Sequence, residues 1–360
     1  MRRIKYIHQL ENWPNLLINR SRVSVLLERI NFLQGQLHGR MEGYSPEFRK
    51  QAIINAMGAE TVASFGIEDT YFDNNEAESA IARSLKIRLP DMVASVRLVR
   101  GAAETLLAGI GHHDKKISAG ILCNWHAGLY PGVSSPAAGS WRNTGLEITD
   151  KSGTRVRFIA PSPIVLPGEV KKFLVWLNQK PQESKLIQSA VAQFWFLTLH
   201  PFADGNGPLS RIISLMLISA SENGLPRYYA PSLQILKERE TYFQLLETCQ
   251  KGGLDITEWV KWYLGIIEKS ILDIKTVQIQ VVGKQKLEDK MSSLGLSLRQ
   301  KKVLRKMFSL EKAQFTSIEW AEEGGYSADT ALREIRSLLN LRLLQKMPKG
   351  GRSTRYRISI

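Results

Sequence analysis

Two apolar runs, Val191–Leu199 (VAQFWFLTL) and Ile212–Ile218, are separated by only twelve residues. Each reads as part of a buried helix, so the chain must fold around two greasy helices joined by one short polar loop. That loop, His200-Pro201-Phe202-Ala203-Asp204-Gly205-Asn206-Gly207-Pro208-Leu209-Ser210-Arg211, carries one imidazole, one carboxylate, a Gly-Asn-Gly turn and one guanidinium. Gly205 and Gly207 let the backbone aim successive N–H groups at one spot, and Pro208 suits the first position of the helix that follows. A helix start with bare N–H groups attracts anions, most often phosphate. Asp204 beside it can hold Mg²⁺ through one carboxylate while phosphates supply the remaining oxygens. His200 is the one group here whose ordinary pKa suits it to accept a proton near neutral pH. The plainer alternative is a polar turn between core helices whose histidine is satisfied structurally.

The order of these residues resembles the Fic family motif, H-x-F-x-[DE]-G-N-G-R-x-x-R, at every defined position except one. The resemblance implies a helical Fic core and an enzyme that moves AMP from ATP onto a hydroxyl of a target protein. It makes His200 the base that deprotonates that hydroxyl and Asp204 the Mg²⁺ ligand. Asn206 and the Gly205 and Gly207 backbone would hold the α- and β-phosphates, Arg211 the γ-phosphate, and Phe202 would anchor the loop in the core. The departure is Pro208, which stands where the family has its first arginine. Proline fits a helix start but removes one cation from the phosphate site.

A second resemblance lies upstream, in Val62–Thr70. Fic proteins with an inhibitory helix carry [ST]-x-x-x-E-[GN]; Ser64 and Glu68 match, and Asp69 replaces the usual Gly or Asn. A carboxylate docked on Arg211 would take the place of a γ-phosphate and keep ATP out of its reactive pose. The alternative is a solvated helix carboxylate.

The totals narrow the class. At 360 residues the chain has room for two or three domains. Hydrophobic content of 43% and charged content of 23% describe an ordinary globular protein. No apolar run approaches the roughly 20 residues that span a bilayer, and the N-terminus lacks the apolar segment of a secretory signal. Cys123 and Cys249 lack metal-ligand spacing and form no disulfide framework, which fits a reducing cytoplasm. The net charge of +15 invites a polyanionic partner.

Residues 1–85 read as a helical N-terminal domain, with Leu26, Leu27, Ile30, Leu33 and Leu37 on one stripe. Residues 86–285 form the expected Fic core, helical except around 146–158. There Leu146–Thr149 and Thr154–Phe158 alternate about a turn and predict a β-hairpin, the flap that in Fic proteins pairs with an extended segment of the target. His126 reads as a satisfied core histidine, and His112-His113-Asp114 as a loop. Tyr242 is a candidate to pack on the adenine, with aromatic core packing an equal account.

Residues 286–360 form a third, basic unit. From 291 onward it holds fourteen Lys and Arg against six Asp and Glu, an excess of eight out of the chain's fifteen. Helices over Leu298–Phe308, Ser317–Glu323 and Asp329–Leu339, the last capped by Asp329, precede strands over Leu343–Met347 and Arg355–Ile358. This order predicts a winged helix-turn-helix with Arg333 and Arg336 on a recognition face and Lys349 and Arg352 at a wing tip, reading DNA or docking a protein. The expected whole is mainly α: an autoinhibited adenylyltransferase using ATP and Mg²⁺, with a target protein on the hairpin, DNA on the basic unit, a second copy of the chain as a further partner, and no membrane. The alternatives are an impaired Fic scaffold acting as a DNA-binding regulator, or an enzyme that removes AMP.

Overall fold

The structure is a computed structural model that describes residues 5–88, 92–131, 138–150, 152–179, 183–309, 314–347 and 354–359, without the side chains of 275–286, 288–289 and 309. Lys349 and Arg352 lie outside the described residues. The chain divides into two compact units, Met1–Asp273 and Ile274–Ile360.

The first unit begins with two short 3-10 turns, Ile7–Gln9 and Arg20–Arg22, then α1 (Ser24–Glu42), α2 (Pro46–Gly66), α3 (Asn74–Ser84), α4 (Arg97–Ile110) and α5 (Ala119–Leu129). Helix α4 starts at Arg97, after the extended residue Val96. Local chemistry sets the starts of α2, α3 and α5. Ser45 caps α2 by accepting from the Phe48 N–H with Pro46 in the first turn, and Asp73 and Ser118 cap α3 and α5 in the same way. The predicted hairpin is present as β1 (Glu147–Thr149) and β2 (Val156–Ile159), antiparallel, with Glu147 opposite Ile159 and Ile148 opposite Phe158. Next come α6 (Leu166–Asn178), α7 (Lys185–Leu199), α8 (Asn206–Ser221), α9 (Pro231–Lys237), α10 (Arg239–Gln250) and α11 (Thr257–Ser293).

Helix α7 is the centre of this unit. Every residue from Leu186 to Leu199 is buried, so α7 is covered all round rather than along one stripe. It packs most extensively on α8, of which only Gly207 and the last residues Ala220 and Ser221 escape full burial. Burying each such aliphatic or aromatic side chain contributes about 1.5–3 kcal/mol. The helix ends at His200, whose φ of 47° is left-handed, and α8 opens from Gly205, whose φ of 73° is left-handed too. Two sharp reversals within six residues bring the whole loop back against its own helix. Glu60 in α2 is fully buried and accepts the Ser232 N–H at 2.9 Å and the Ser232 hydroxyl, which ties the N-terminal helices to α9.

The second unit contains the end of α11, then α12 (Leu298–Ser309), β3 (Phe315–Thr316), α13 (Ser317–Gly324), α14 (Ala328–Asn340), β4 (Leu344–Lys346) and β5 (Arg355–Ile358). The strands form one antiparallel sheet in the order β3-β5-β4, so the two-residue β3 adds a third strand to the two predicted. Phe315, Trp320, Ile335, Leu338 and Tyr356 share its core. A capping box between Thr316 and Glu319 starts α13. The cap of α14 is Ser327, which accepts from Thr330 N–H, and not Asp329, which falls inside the first turn. Arg333 and Arg336 are exposed on the face of α14 opposite buried Ala331, Ile335 and Leu338.

Among the described residues no helix is long and apolar enough to cross a membrane.

Candidate active site

The loop between α7 and α8 lines a cavity of about 360 Å³. Its walls include His200, Asp204, Gly205, Asn206 and Gly207 from the loop, Glu68 from the N-terminal helices, Ile148, Arg157 and Phe158 from the hairpin, and Phe243 and Glu247 from α10.

His200 is positioned through its backbone and one ring nitrogen. Its N–H donates to Phe196 O at 2.9 Å, and its Nδ1 lies 3.2 Å from Leu197 O. A carbonyl can only accept, so Nδ1 carries the proton and Nε2 keeps its lone pair. Burial, with Arg142 nearby, pushes the His200 pKa down from 6.5 to about 4. The imidazole is therefore neutral, in the tautomer a general base requires.

Arg142 holds this arrangement, and its importance is not legible in the sequence. It is 6% exposed and meets no carboxylate among the described residues. Instead it donates to four backbone carbonyls: His200 O at 2.8 Å, Thr144 O at 2.9 Å, Pro161 O at 2.6 Å and Leu199 O at 3.3 Å. Its own N–H reaches Pro201 O at 2.9 Å. One guanidinium thus satisfies the carbonyl end of α7 and pins the root of the hairpin to the loop. Sequence order places it 58 residues from His200, with no local pattern to mark it.

The floor of the loop is aromatic. Phe202 is fully buried and stacks on His126, ring centroids 3.9 Å apart and planes within 3°. His126 is the satisfied histidine expected: Nε2–H donates to Asp204 O at 2.9 Å and Nδ1 accepts the Gly139 N–H at 2.9 Å. Asn206 closes the loop on itself, since its Oδ1 accepts from Phe202 N–H at 3.0 Å and its Nδ2 donates to Phe202 O at 2.8 Å. Its side chain is thus spent on building the loop, and its contribution to an anion site is its backbone N–H.

Helix α8 starts at Asn206, so Pro208 is its third residue and not its first. Proline is tolerated there because N–H groups of the first turn have no partner within the helix. It leaves Asn206 and Gly207 to present N–H groups, while the Gly205 N–H is taken by Asp204 Oδ1 at 2.7 Å. Asp204 is exposed and lines the cavity. Among the described residues there is no cluster of three or more His, Cys, Asp or Glu side chains able to cage a metal.

Glu68 sits against the start of α8. A Cβ added to Gly207 would lie 2.0 Å from Glu68 Oε1, so only glycine lets this carboxylate sit against the start of α8. The same oxygen is 3.1 Å from Arg211 Nη2. Arg211 is 2% exposed, and its Nε donates to Ser64 Oγ at 2.8 Å and its Nη2 to Ser64 O at 2.6 Å. Its Nη1 is buried with no hydrogen-bond partner. The structure thus brings Ser64, Glu68 and Arg211 together. Asp69 has a left-handed φ of 58°, a conformation that glycine adopts freely and Asn or Asp tolerate. It pairs with Arg239 at 2.8 Å, and Arg239 Nε also donates to Ile67 O at 2.6 Å.

Tyr242 is 1% exposed, packed among Phe243, Trp259 and Trp262, and lines the cavity from beneath. Burial raises its pKa, with Arg211 and Glu68 as its charged neighbours. The N-terminus also reaches the site. Tyr6 packs edge-on to Phe158 at 5.1 Å, and His8 does so at 5.6 Å, its pKa lowered by burial to about 4. Tyr6 and His8 thus back Phe158, which lines the cavity, while Glu68 lines it directly.

Residues 6–87 match the model of a domain of unknown function, DUF4172, and residues 116–218 match the Fic/DOC family. A probable protein adenylyltransferase of Aquifex aeolicus is 23% identical over 202 residues, covering 55% of this chain and 57% of that protein. The protein adenylyltransferase Fic of Drosophila mojavensis is 30% identical over 115 residues, covering 31% of this chain and 21% of that protein. The chain thus spans only part of the length of these curated relatives. In structure, a Fic family protein from Desulfovibrio desulfuricans G20 superposes with a TM-score of 0.60 at 19% identity, covering 96% of this chain and 98% of that one. A segment of Fic-1 from C. elegans gives a TM-score of 0.50 at 17% identity over 72% of this chain and 74% of that one. The motif, the shared fold and the family match agree, and residues 116–218 form a Fic/DOC family domain.

Proposed function

We propose that the chain is a protein adenylyltransferase held in check by Glu68. The observation that carries this reading is a neutral imidazole with a free Nε2 beside a helix start whose anion position is already filled by the chain's own carboxylate. A target Ser, Thr or Tyr hydroxyl gives its proton to His200 Nε2 as its oxygen attacks the α-phosphorus of ATP. The new O–P bond forms as the bond to the β-phosphate oxygen breaks, and pyrophosphate leaves. The Asn206 and Gly207 N–H groups face the phosphates, and Arg211 becomes available to the γ-phosphate once Glu68 withdraws. Mg²⁺ fits the exposed Asp204 carboxylate, since this ion commonly binds through one or two carboxylates and the substrate's phosphates, and it would neutralise charge on them. The relatives named protein adenylyltransferase support the reaction class.

The outer edge of β1 has no strand partner among the described residues and suits an extended target segment running past His200. We read the second unit as a winged helix that meets DNA through Arg333 and Arg336.

Incubation of the purified chain with labelled ATP and Mg²⁺ tests the proposal. Label should appear on the chain or on added proteins, rise with Glu68→Gly, vanish with His200→Ala and fall on chelation of Mg²⁺ with EDTA. Pro208, which supplies neither an N–H nor a guanidinium, favours a second reading, an impaired scaffold that serves the DNA-binding unit. A silent Glu68→Gly protein that Pro208→Arg awakens would select that reading. Release of AMP from a modified protein by the wild-type chain would select removal of AMP instead.

A further inference from the structure

Resting on the nucleotide reading above, we propose that Arg157 on the hairpin is a phosphate-binding residue, meeting the polyphosphate from the side opposite the start of α8 and supplying the cation that Pro208 lacks.

The first observation is the register of the hairpin. Ile148 pairs with Phe158 and Thr149 with Val156, so Arg157 is the extra residue of a β-bulge. In a regular strand Arg157 and Phe158 would point to opposite faces. Here both line the cavity, because a bulge re-aims the side chain it carries.

The second observation is that Arg157 lacks a close partner. Its Nε is buried without a hydrogen-bond partner. The carboxylate that faces it, Glu247 Oε2, is 4.0 Å away, and Glu247 already receives Arg155 and Lys251 at 2.7 Å each. Arg157 is the one Lys or Arg side chain among the described residues that line the cavity, so it is the cation that an anion entering there would meet. A guanidinium with its Nε buried and unpaired is matched by an anion with several oxygens, and a polyphosphate is such an anion.

The third observation is what the opposite wall lacks. Pro208 contributes no N–H to the start of α8, and Arg211 is turned toward α2 by its two bonds to Ser64. Gly205, Asn206 and Gly207 line the same cavity as Arg157, and its volume of about 360 Å³ is enclosed between the loop and the hairpin.

The test uses the full-length chain carrying Glu68→Gly and follows ATP and adenosine binding in Mg²⁺ by calorimetry. Adding Arg157→Ala should weaken ATP at least tenfold while adenosine binding stays within twofold, which shows the cavity intact. Arg157→Lys should keep part of the ATP affinity, because a point charge replaces a fork. Adding Pro208→Arg to the Arg157→Ala protein should restore part of what was lost. Unchanged ATP affinity in Arg157→Ala overturns the proposal. So does a loss seen only as a raised KM for a protein target, which would make Arg157 a target contact. If the Glu68→Gly protein binds no ATP at all, the nucleotide reading falls and this proposal falls with it.

Discussion

Glu68 Oε1 lies 3.1 Å from Arg211 Nη2 and rests on the Cα of Gly207, so one carboxylate satisfies a buried guanidinium and blocks a helix start at once. The pair is unequal in burial: the Glu68 side chain is 37% exposed and that of Arg211 only 2%. An exposed acid in the turn after α2 can leave by moving outward, whereas the arginine stays where Ser64 holds it. Removing the acid should therefore open the site without dismantling it. Glu68→Gly is expected to raise incorporation of AMP at least tenfold, read as added mass on the intact chain, with His200→Ala in the same background returning it to zero.

Arg142 has the opposite character, since its loss should damage the site by loosening it. Each buried carbonyl left unpaired costs about 1–3 kcal/mol, and four depend on this side chain. Arg142→Ala should lower stability by about 3–5 kcal/mol in urea unfolding. Arg142→Lys, which keeps the charge but loses the fork, should recover less than half of that.

The His200 pKa of about 4 fixes the sign of the pH response. A base whose pKa is depressed stays neutral, and active, down to that value, so the acid limb of kcat/KM should fall near pH 4 rather than near 6.5. The unfolded chain takes up this proton below about pH 6.5 and the folded chain only near 4, so stability declines as pH falls through that window. His8, depressed to the same value, adds to the decline. The His200→Ala protein should show a smaller drop in Tm between pH 7 and pH 4.5.

Tyr6 and His8 brace the cavity wall through Phe158. Tyr6→Ala should raise KM for a protein target several-fold while ATP affinity changes little, and Tyr6→Phe should restore it, because the contact is one of ring edges.

Much of the site was legible in the sequence because it is local. His200 to Arg211 fold against themselves, with left-handed turns at His200 and Gly205 and the Asn206 amide closed on Phe202, and such bonds depend on spacing alone. The hairpin was legible for the same reason, its alternation being a property of adjacent residues. The Pro208 and Asp329 placements moved because helix boundaries depend on which cap the backbone can reach.

By itself the sequence determined two buried helices with a tight, glycine-bent polar loop between them, since apolar runs and glycine spacing act over a few residues. Only the tertiary structure decided that Arg142 would clamp the loop, that Tyr6 would brace the hairpin, and that a bulge would turn Arg157 inward. Those contacts join residues far apart in the chain, and the burial that makes an unpaired carbonyl or guanidinium costly exists only after the chain has closed around them.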